Sequence, residues 1–387
     1  MNVQFSDRLK RLPPYLFVEI DKAKKKMAEK GADVIDLGVG DPDQPTPKYI
    51  IESMRRAVLN PATHRYALDQ GDPGLRTAIA GWYKKRFGVA LDPKTEILPL
   101  IGSKEGIAHI PLAFINAGDI VLIPEPCYPP YKSGTIFAGG IAHIMPLTRE
   151  NGFLPDFKHI TGHVLRKTRM MFINYPNNPT GAVCDKEFFR HVVKFAEREN
   201  IIICHDAAYS EMSYDGYRAP SFLEVKGAKE VGVEFHSYSK TFNMTGWRVG
   251  FVCGNASVIE GLAKVKSNID SGIFTAIQTA GIEAFKQADR HLEDFNRIYR
   301  ERRNILIDGL NGIGWKIEKP KATFYVWAPV LQRYTSITLA KVLLEEAAVV
   351  VTPGNGFGSS GEGYIRMALT VSKDRIREAV ERIRKVI

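Results

Sequence analysis

Lys240 lies in the stretch SYSKTFNMTGWRVG (237–250), among hydroxyl, small and aromatic residues, and Arg248 follows eight positions later. The sequence between Glu234 and Glu260 contains no acidic residue that could pair with this lysine. A flexible surface lysine is the commonest role of the residue type, yet the stretch is too apolar for a solvated face and too polar for a core. A lysine amine in such surroundings can instead react with a carbonyl carbon.

A carboxylate and a phenol follow a different apolar run. The run IIIC (201–204) leads into Asp206 and, three residues later, into Tyr209. A carboxylate at the tip of a buried strand needs a cationic or hydrogen-bonding partner, because the loss of hydration is costly. The alternative for Asp206 is the N-cap of a helix, where Asp is common. The sequence leaves both interpretations open.

Two more segments carry groups that bind anions or flat rings. Ser103 and Lys104 stand in IGSKEG, just before an apolar helical pattern, and the start of a helix is a ready anion site. Tyr128 is held between prolines in EPCYPPY, and Asn178 lies in the turn YPNNPTG. A packed loop aromatic and a simple turn are the structural alternatives for these two residues.

Taken together, these groups match the needs of pyridoxal 5′-phosphate. Its phosphate requires amides, hydroxyls and an arginine, and its ring requires an aromatic side chain on one face. Its ring nitrogen requires a carboxylate, and its phenolic oxygen requires phenol and amide donors. Its aldehyde requires a lysine amine to form a Schiff base. The set therefore predicts a pyridoxal-phosphate site.

These groups must be positioned by a sheet whose strands end at a common edge. Several apolar runs lack polar alternation, which indicates strands buried on both faces, as in a parallel sheet. Amphipathic helical patterns such as 185–199 lie between them, an alternation typical of an α/β fold. Ligands of such folds bind at the carboxyl ends of the strands. The predicted strands are 34–40, 119–124, 169–175, 200–206 and 232–239.

The C-terminal part predicts a separate, smaller α+β unit. Its spacing predicts one long helix over 275–312, then the strand TFYVWAPV, a helix over 339–347, the strands AVVVTPG and YIRMALT, and a terminal helix from Asp374. The segment GFGSSG (356–361) fits the dinucleotide fingerprint, but that fingerprint requires a helix to open at the glycines. Because a strand pattern follows instead, we expect a flexible loop here.

Composition narrows the class of protein. The chain has 387 residues, with 44% hydrophobic and 25% charged residues, which suggests about two domains of an ordinary globular protein. The net charge of +10 is spread along the chain; the run KAKKK lies in a helical pattern over 18–30 and is expected to form a solvated face rather than a nucleic-acid patch. Four widely spaced cysteines, and no signal-like or membrane-spanning run, indicate a cytoplasmic protein without disulfides or a metal.

The motifs SxSKTFxMTGWRxG, DxAYSE and NNPTG resemble those of the class I/II aminotransferases of the aspartate aminotransferase superfamily, and the resemblance extends from LGVGDPD (37–43) to YIRMAL (364–369). It implies fold type I, with a large cofactor domain at 46–283 and a small domain formed by 1–45 and 284–387. It also implies a homodimer with shared sites and ping-pong exchange between an amino acid and a 2-oxo acid.

The resemblance assigns roles to individual residues. Lys240 matches the lysine that binds the aldehyde and later moves the α-proton, and Asp206 matches the partner of the ring nitrogen. The remaining cofactor ligands match Tyr209, Asn178, Tyr128, Ser103, Lys104, Ser237 and Arg248, with Tyr66 reaching the phosphate from the partner chain. Arg366 matches the arginine that binds the substrate α-carboxylate, beside Gly40 and Asn178.

The substrate prediction depends on a narrower resemblance. YALDQG, SNIDSGIF and LGVGDPD are similar to segments of the LL-diaminopimelate aminotransferases, with 2-oxoglutarate as acceptor in lysine biosynthesis. In that family the acidic residue three after the tyrosine, here Asp69, reaches the distal ammonium from the partner chain. This sequence has Asp for Glu, and Ala67 in place of glycine. Aspartate, alanine or aromatic transamination, a C–S lyase, a decarboxylase and a cofactor-binding transcriptional regulator are the alternatives.

Overall fold

The computed structural model describes residues 1, 3–13, 16–29, 31–67 and 70–387. Its strands are short, and half of those described are entirely buried. They are β1 Ile35–Asp36, β2 Ile97–Leu100, β3 Ile120–Glu125, β4 Ile141–Pro146, β5 Thr168–Asn174, β6 Ile202–Asp206, β7 Gly232–Ser237, β8 Gly250–Gly254, β9 Tyr325–Pro329, β10 Val349–Val350, β11 Thr352–Pro353 and β12 Tyr364–Ala368.

Helices connect these strands and cover the sheet. They are α1 Asp7–Lys10, α2 Leu16–Glu29, α3 Lys48–Val58, α4 Pro73–Phe87, α5 Ser103–Phe114, α6 Pro130–Phe137, α7 Gly162–Lys167, α8 Lys186–Glu199, α9 Ala228–Val231, α10 Tyr238–Thr241, α11 Ala256–Ser267, α12 Thr275–Ala284, α13 Ala288–Gly312, α14 Ser336–Ala347 and α15 Lys373–Arg384. Within the described ranges, we find no helix with the length and apolarity that crossing a lipid bilayer requires.

Within the described part of the chain, the central sheet has seven strands in the order β2-β8-β7-β6-β5-β3-β4. All neighbours pair in parallel except β8, which runs antiparallel to both β2 and β7. Each parallel step is made through a helical connection, as the alternating pattern of the sequence predicts. The α/β class and the mainly parallel sheet are therefore confirmed.

Two apolar layers explain why the central strands lack polar alternation. On β5, Met170 and Phe172 point into one hydrophobic cluster, whereas Met171 and Ile173 point into the other. Helix α8 covers the second layer; Asp185 caps its start by accepting a hydrogen bond from the Phe188 amide. Burying each large apolar side chain in these layers stabilises the fold by about 1.5–3 kcal/mol.

Some of the predicted elements were wrong. Of the predicted strand 34–40 only Ile35–Asp36 pairs, and it does so with Val349–Val350 outside the central sheet. The predicted long helix 275–312 is interrupted by a 3₁₀ turn, Phe285–Gln287. Three strands of the central sheet were missed. They are Ile97–Leu100, Ile141–Pro146 and Gly250–Gly254.

The C-terminal elements, together with β1, form a second unit, the C-terminal unit. β9, β11 and β12 make an antiparallel sheet, and β1 and β10 make a parallel pair. Their shared core includes Leu37, Trp315 and Ile376, together with Tyr209 from the segment after β6. The core of this second unit thus reaches the carboxyl edge of the central sheet. The domain boundaries at 46 and 283 stay a prediction.

Candidate active site

One edge of the central sheet collects the predicted groups. Asp206 ends β6, Asn178 follows β5, and Lys240 lies in α10, directly after β7. Because β8 runs against its neighbours, its first residues lie at this same edge, and Arg248 comes just before them. Strands of opposite direction thus bring residues eight positions apart in sequence, Lys240 and Arg248, to one site.

A cavity of about 420 Å³ opens at this edge. Every residue that the sequence predicts to hold the cofactor or substrate within one chain lines the cavity, from Gly40 to Arg366. Residues from the C-terminal unit, including Tyr325 and Phe357, complete the wall of the cavity. The cavity therefore lies between the central sheet and the C-terminal unit.

Lys240 is half-buried in the wall of this cavity. Its Nζ donates a 2.8 Å hydrogen bond to the Gly40 carbonyl and lies 5.3 Å from the centre of the Phe324 ring. Burial lowers the pKa of Lys240 to about 8; the charges of Arg366 and Arg248 add to this, and carboxylates oppose it. An amine with such a pKa is a usable nucleophile and base near neutral pH.

Asp206 is 5% exposed and has two hydrogen-bond donors within the described residues. Oδ2 accepts a 2.7 Å bond from the Tyr131 hydroxyl, and Oδ1 accepts a 3.2 Å bond from the Ala208 amide. Burial raises the pKa of this carboxyl group, and the two hydrogen bonds oppose the rise. A carboxylate that is costly to ionise here favours a cationic partner in the cavity.

Arg366 and Tyr209 lie on the wall formed with the C-terminal unit. The Arg366 guanidinium is 2% exposed, and it donates to Asn178 Oδ1 at 2.9 Å and to the Gly38 carbonyl at 2.7 Å. Tyr209 donates a 3.2 Å bond to the Tyr325 hydroxyl. Burial raises the pKa of Tyr209 well above its ordinary value, so its hydroxyl remains protonated and able to donate.

At the other end of the cavity, Ser103 begins α5, a helix of 12 residues. The Arg248 guanidinium donates to the Thr245 carbonyl at 2.7 Å and lies 3.5 Å from the Ser239 hydroxyl. A helix start, hydroxyl groups and an arginine form an anion-binding set. The cavity thus combines an anion site, a nucleophilic amine, a buried carboxylate and a second arginine.

Comparison with known proteins identifies the family. The profile described as "Aminotransferase class I and II" matches residues 32–383. The chain belongs to the class I and II aminotransferases. It is 58% identical to the LL-diaminopimelate aminotransferase of Syntrophobacter fumaroxidans over 98% of both chains, and 56% identical to the enzyme of that name from Moorella thermoacetica over 100% of this chain and 99% of the relative.

Solved structures agree in fold. Substrate-bound BacF from Bacillus subtilis superimposes with a TM-score of 0.95 and 43% identity, over 100% of this chain and 98% of that one. An aspartate aminotransferase variant from Thermus thermophilus superimposes with a TM-score of 0.93 and 30% sequence identity, over 100% of both chains. The predicted family and fold are confirmed, and this aminotransferase acts on small amino and 2-oxo acids as its family does.

Two residues, Tyr66 and Asp69, are predicted to act from a partner chain. Tyr66 of this aminotransferase does not line the cavity of its own chain, and its side chain is 91% exposed. Asp69 lies outside the described residues. The roles given to both residues stay predictions.

Sequence reasoning missed several groups of the aminotransferase site. Tyr131, Tyr325 and Phe357 contact predicted residues, but no role in the site was predicted for them. Asn174 was missed too: its Nδ2 donates a 2.6 Å bond to the Asp206 carbonyl, and its Oδ1 accepts from the Asn178 amide. The signal available for Tyr131 was its place in EPCYPPY, three residues after Tyr128.

Proposed function

We propose that this aminotransferase binds pyridoxal 5′-phosphate in the cavity and transfers the amino group of LL-diaminopimelate to 2-oxoglutarate. The observation that carries the chemistry is Lys240, a lysine of lowered pKa, facing the same cavity as Asp206 and Arg366. The substrate class is supported by full-length relatives at 50–58% identity that bear that enzyme name.

The residues present fit the cofactor. A Cβ on Gly102, whose φ is +76°, would come within 3.0 Å of the Arg248 guanidinium, and a Cβ on Gly250 would lie 2.7 Å from the Ser103 amide nitrogen. Both glycines therefore keep the anion-binding end open. Ser103, Ser237 and Arg248 would hold the phosphate there, with Lys104 at the rim.

When bound, pyridoxal phosphate supplies an aldehyde for exchange with the substrate amine and a ring that accepts the electron pair of the α-carbon. Asp206 would hold a proton at the ring nitrogen, which offsets the cost of ionising a buried carboxyl group. Tyr128 would cover one face of the ring, and Tyr209 and Asn178 would donate to its phenolic oxygen.

Lys240 would remove the proton at the substrate α-carbon, a step that requires the neutral amine. With a pKa of about 8, roughly a tenth of the lysine is neutral at pH 7, compared with well under a thousandth at the ordinary value of 10.5. Arg366 would bind the α-carboxylate through paired hydrogen bonds, which fixes the Cα–H bond relative to the amine.

The aspartate alternative has less support from the charges of the chain. Aspartate-specific members of the family can bind the distal carboxylate with an arginine of the partner chain, and the resemblance places this residue in the segment 266–274. Lys266 is the cation of that segment. Its side chain is 1% exposed, and its amine already pairs with Asp270 at 2.7 Å and Glu105 at 3.3 Å. We infer that the distal group of the preferred substrate is cationic and is bound by Asp69 from a partner chain.

A homodimer with shared sites follows from the proposed role of Tyr66. Exposed apolar side chains on the same stretch of chain, Leu59 at 75% and Ile51 at 44%, support an interface there. Mixing inactive Lys240→Ala with inactive Tyr66→Ala tests this. Hybrid dimers would regain one intact site, restoring about a quarter of wild-type activity. No recovery, with subunit exchange demonstrated, would contradict shared sites.

The substrate is tested with a panel of amino donors: LL-diaminopimelate, aspartate, alanine and tyrosine, each with 2-oxoglutarate. We expect LL-diaminopimelate to have the highest kcat/KM. Asp69→Asn should raise the KM for LL-diaminopimelate about 10–100-fold and leave the KM for alanine unchanged. Equal losses on both donors would remove the role of Asp69.

The cofactor and reaction class need separate readouts. The purified protein should be yellow, and Lys240→Ala should lose the absorbance band of the lysine adduct; a protein that cannot take up pyridoxal phosphate would contradict the proposal. Release of pyruvate and ammonia from cystathionine without an acceptor would favour a C–S lyase.

A further inference from the structure

Glu125 is a buried carboxylate that the proposed chemistry does not use. It ends β3 at the carboxyl edge of the central sheet and is 3% exposed. Its Oε1 accepts three hydrogen bonds from the loop before β12: from the Ser359 hydroxyl at 3.0 Å, the Ser360 amide at 3.0 Å and the Ser360 hydroxyl at 3.1 Å. We call this set of contacts the Glu125 clasp. It joins the central sheet to the C-terminal unit.

The clasp accounts for one glycine of the segment GFGSSG, Gly358. The loop forms two 3₁₀ turns, Gly354–Phe357 and Ser359–Gly361, with no helix of the kind that a pyrophosphate needs. Gly358 has a φ of +116°, and a Cβ there would come within 3.0 Å of the Glu125 carboxyl group. Glycine at this position lets the loop backbone approach the carboxylate.

The loop carries Phe357 into the wall of the cavity. Phe357 is 3% exposed, and its carbonyl accepts a 2.9 Å bond from the Cys127 amide, two residues after Glu125. Its ring centre lies 4.6 Å from Cζ of Arg366, and the Tyr325 ring lies 4.1 Å from the same atom. Both rings contact the guanidinium through cation–π interactions.

We propose that Glu125 is a positioning residue for the substrate α-carboxylate, because its clasp on Ser359 and Ser360 fixes Phe357 against the Arg366 guanidinium. The inference depends on the proposed role of Arg366 as the carboxylate-binding residue. A charged acceptor with three donors holds the loop more firmly than a neutral one would. Loosening the clasp therefore lets the ring, and with it the guanidinium, depart from the geometry that a bidentate carboxylate requires.

The test compares four variants of the intact, cofactor-loaded enzyme. Glu125→Ala should raise the KM for the amino donor about tenfold, with kcat changed less than threefold and the cofactor absorbance unchanged. Glu125→Gln keeps one acceptor oxygen, so its KM for the amino donor should lie between the values of Glu125→Ala and wild type. Glu362→Gln is the matched control, because Glu362 bonds the Ser336 amide at 2.8 Å instead; its KM should equal that of wild type.

Arg366→Lys separates this inference from the proposed function. A large rise in KM for Arg366→Lys together with an unchanged KM for Glu125→Ala would overturn the clasp alone. An unchanged KM for Arg366→Lys would overturn the proposed role of Arg366. Loss of cofactor absorbance in Glu125→Ala would mean general damage and would also overturn the positioning role.

If Glu125→Ala does not fold, the double substitution Ser359→Ala with Ser360→Ala decides. It removes both hydroxyl donors but leaves the backbone amide, so we expect a rise in KM of about three- to fivefold with an unchanged kcat. A KM equal to wild type in a folded double variant would overturn the clasp.

Discussion

Asp206 and Glu234 are buried carboxylates on neighbouring strands, and the groups around them differ. Glu234 is 0% exposed and accepts hydrogen bonds from the imidazoles of His205 and His236, the Ser221 hydroxyl, the Phe222 amide and the Tyr83 hydroxyl. Asp206, on the opposite face of the sheet, accepts two hydrogen bonds from the described residues. Glu234 is satisfied within the chain, whereas Asp206 keeps lone pairs for a group in the cavity.

The two pKa directions express the same difference. Burial alone would raise the pKa of Glu234, but hydrogen bonds and charge from His205 and His236 lower it below its ordinary range. For Asp206 burial prevails, and its pKa rises. A buried carboxylate with few internal donors is thus the better indicator of a ligand site than burial itself.

The largest effect is expected for Asp206→Asn. It keeps the shape but removes the charge that would hold a proton on the ring nitrogen, so kcat should fall about 10³-fold. Because the folded-state pKa is raised, the ionised carboxyl group weakens the cofactor-free fold as pH rises through that pKa. The variant should therefore unfold at equal or higher urea concentration at pH 7. A kcat within tenfold of wild type would contradict the role.

Glu234→Gln should show the reverse pattern. It leaves buried imidazole and hydroxyl donors poorly paired, so the free energy of unfolding should fall by about 3 kcal/mol while kcat per folded molecule changes less than threefold. Since the folded-state pKa is lowered, the contribution of Glu234 is fully present above its unfolded pKa, near 4.3, and disappears as pH falls. Urea unfolding should therefore show a smaller difference in the free energy of unfolding between wild type and Glu234→Gln at pH 3.5 than at pH 7.

A similar contrast separates two lysines. Lys266 pairs with two carboxylates, whereas the amine of Lys240 bonds the Gly40 carbonyl. With a pKa of about 8, Lys240 in the cofactor-free protein should capture an aldehyde about tenfold faster per pH unit up to pH 8, then level off. Stopped-flow absorbance, with Lys240→Ala as background, measures this. A rate still rising steeply at pH 9.5 would contradict the lowered pKa.

The smallest effect is expected for Tyr131→Phe. It removes one of the two donors to Asp206, so the carboxylate is harder to ionise and kcat should fall about three- to tenfold. The acid limb of the kcat profile should move to higher pH. Tyr217→Phe is the control, since that hydroxyl bonds the Cys184 carbonyl, outside the cavity; an equal loss in both variants would show that the Tyr131 hydroxyl has no specific role.

The sequence predicted several strands whose side chains are apolar on both faces, such as β5 and β6, because burial on two sides leaves an unbroken apolar run. It nevertheless missed β2, a buried strand of four residues. It missed β4, an edge strand with mixed exposure, and β8, which begins and ends in glycine. The interruption at Phe285–Gln287 carries neither proline nor glycine, so local spacing alone could not reveal it.

The cavity-lining residues were predictable because Lys240, Asp206 and Asn178 stand in fixed motifs at strand ends. Their supporting contacts were not, because they join distant parts of the chain. Tyr325 reaches Tyr209 from 116 residues away, and Glu125 reaches Ser359 from 234 residues away. Such pairs depend on how the C-terminal unit packs on the central sheet, and no local sequence pattern encodes that packing.

The antiparallel direction of β8 has a consequence for the distance between two groups of the site, the Lys240 amine and the Arg248 guanidinium. The chain leaves the edge at Lys240 and returns at Arg248 through one short turn, in which Asn243 and Arg248 adopt left-handed backbone at φ +55° and +56°. The distance between the Lys240 amine and the Arg248 guanidinium is thus limited by a loop of seven residues. Arg366 comes instead from β12 of the C-terminal unit, so its distance from Lys240 depends on how that unit packs on the central sheet.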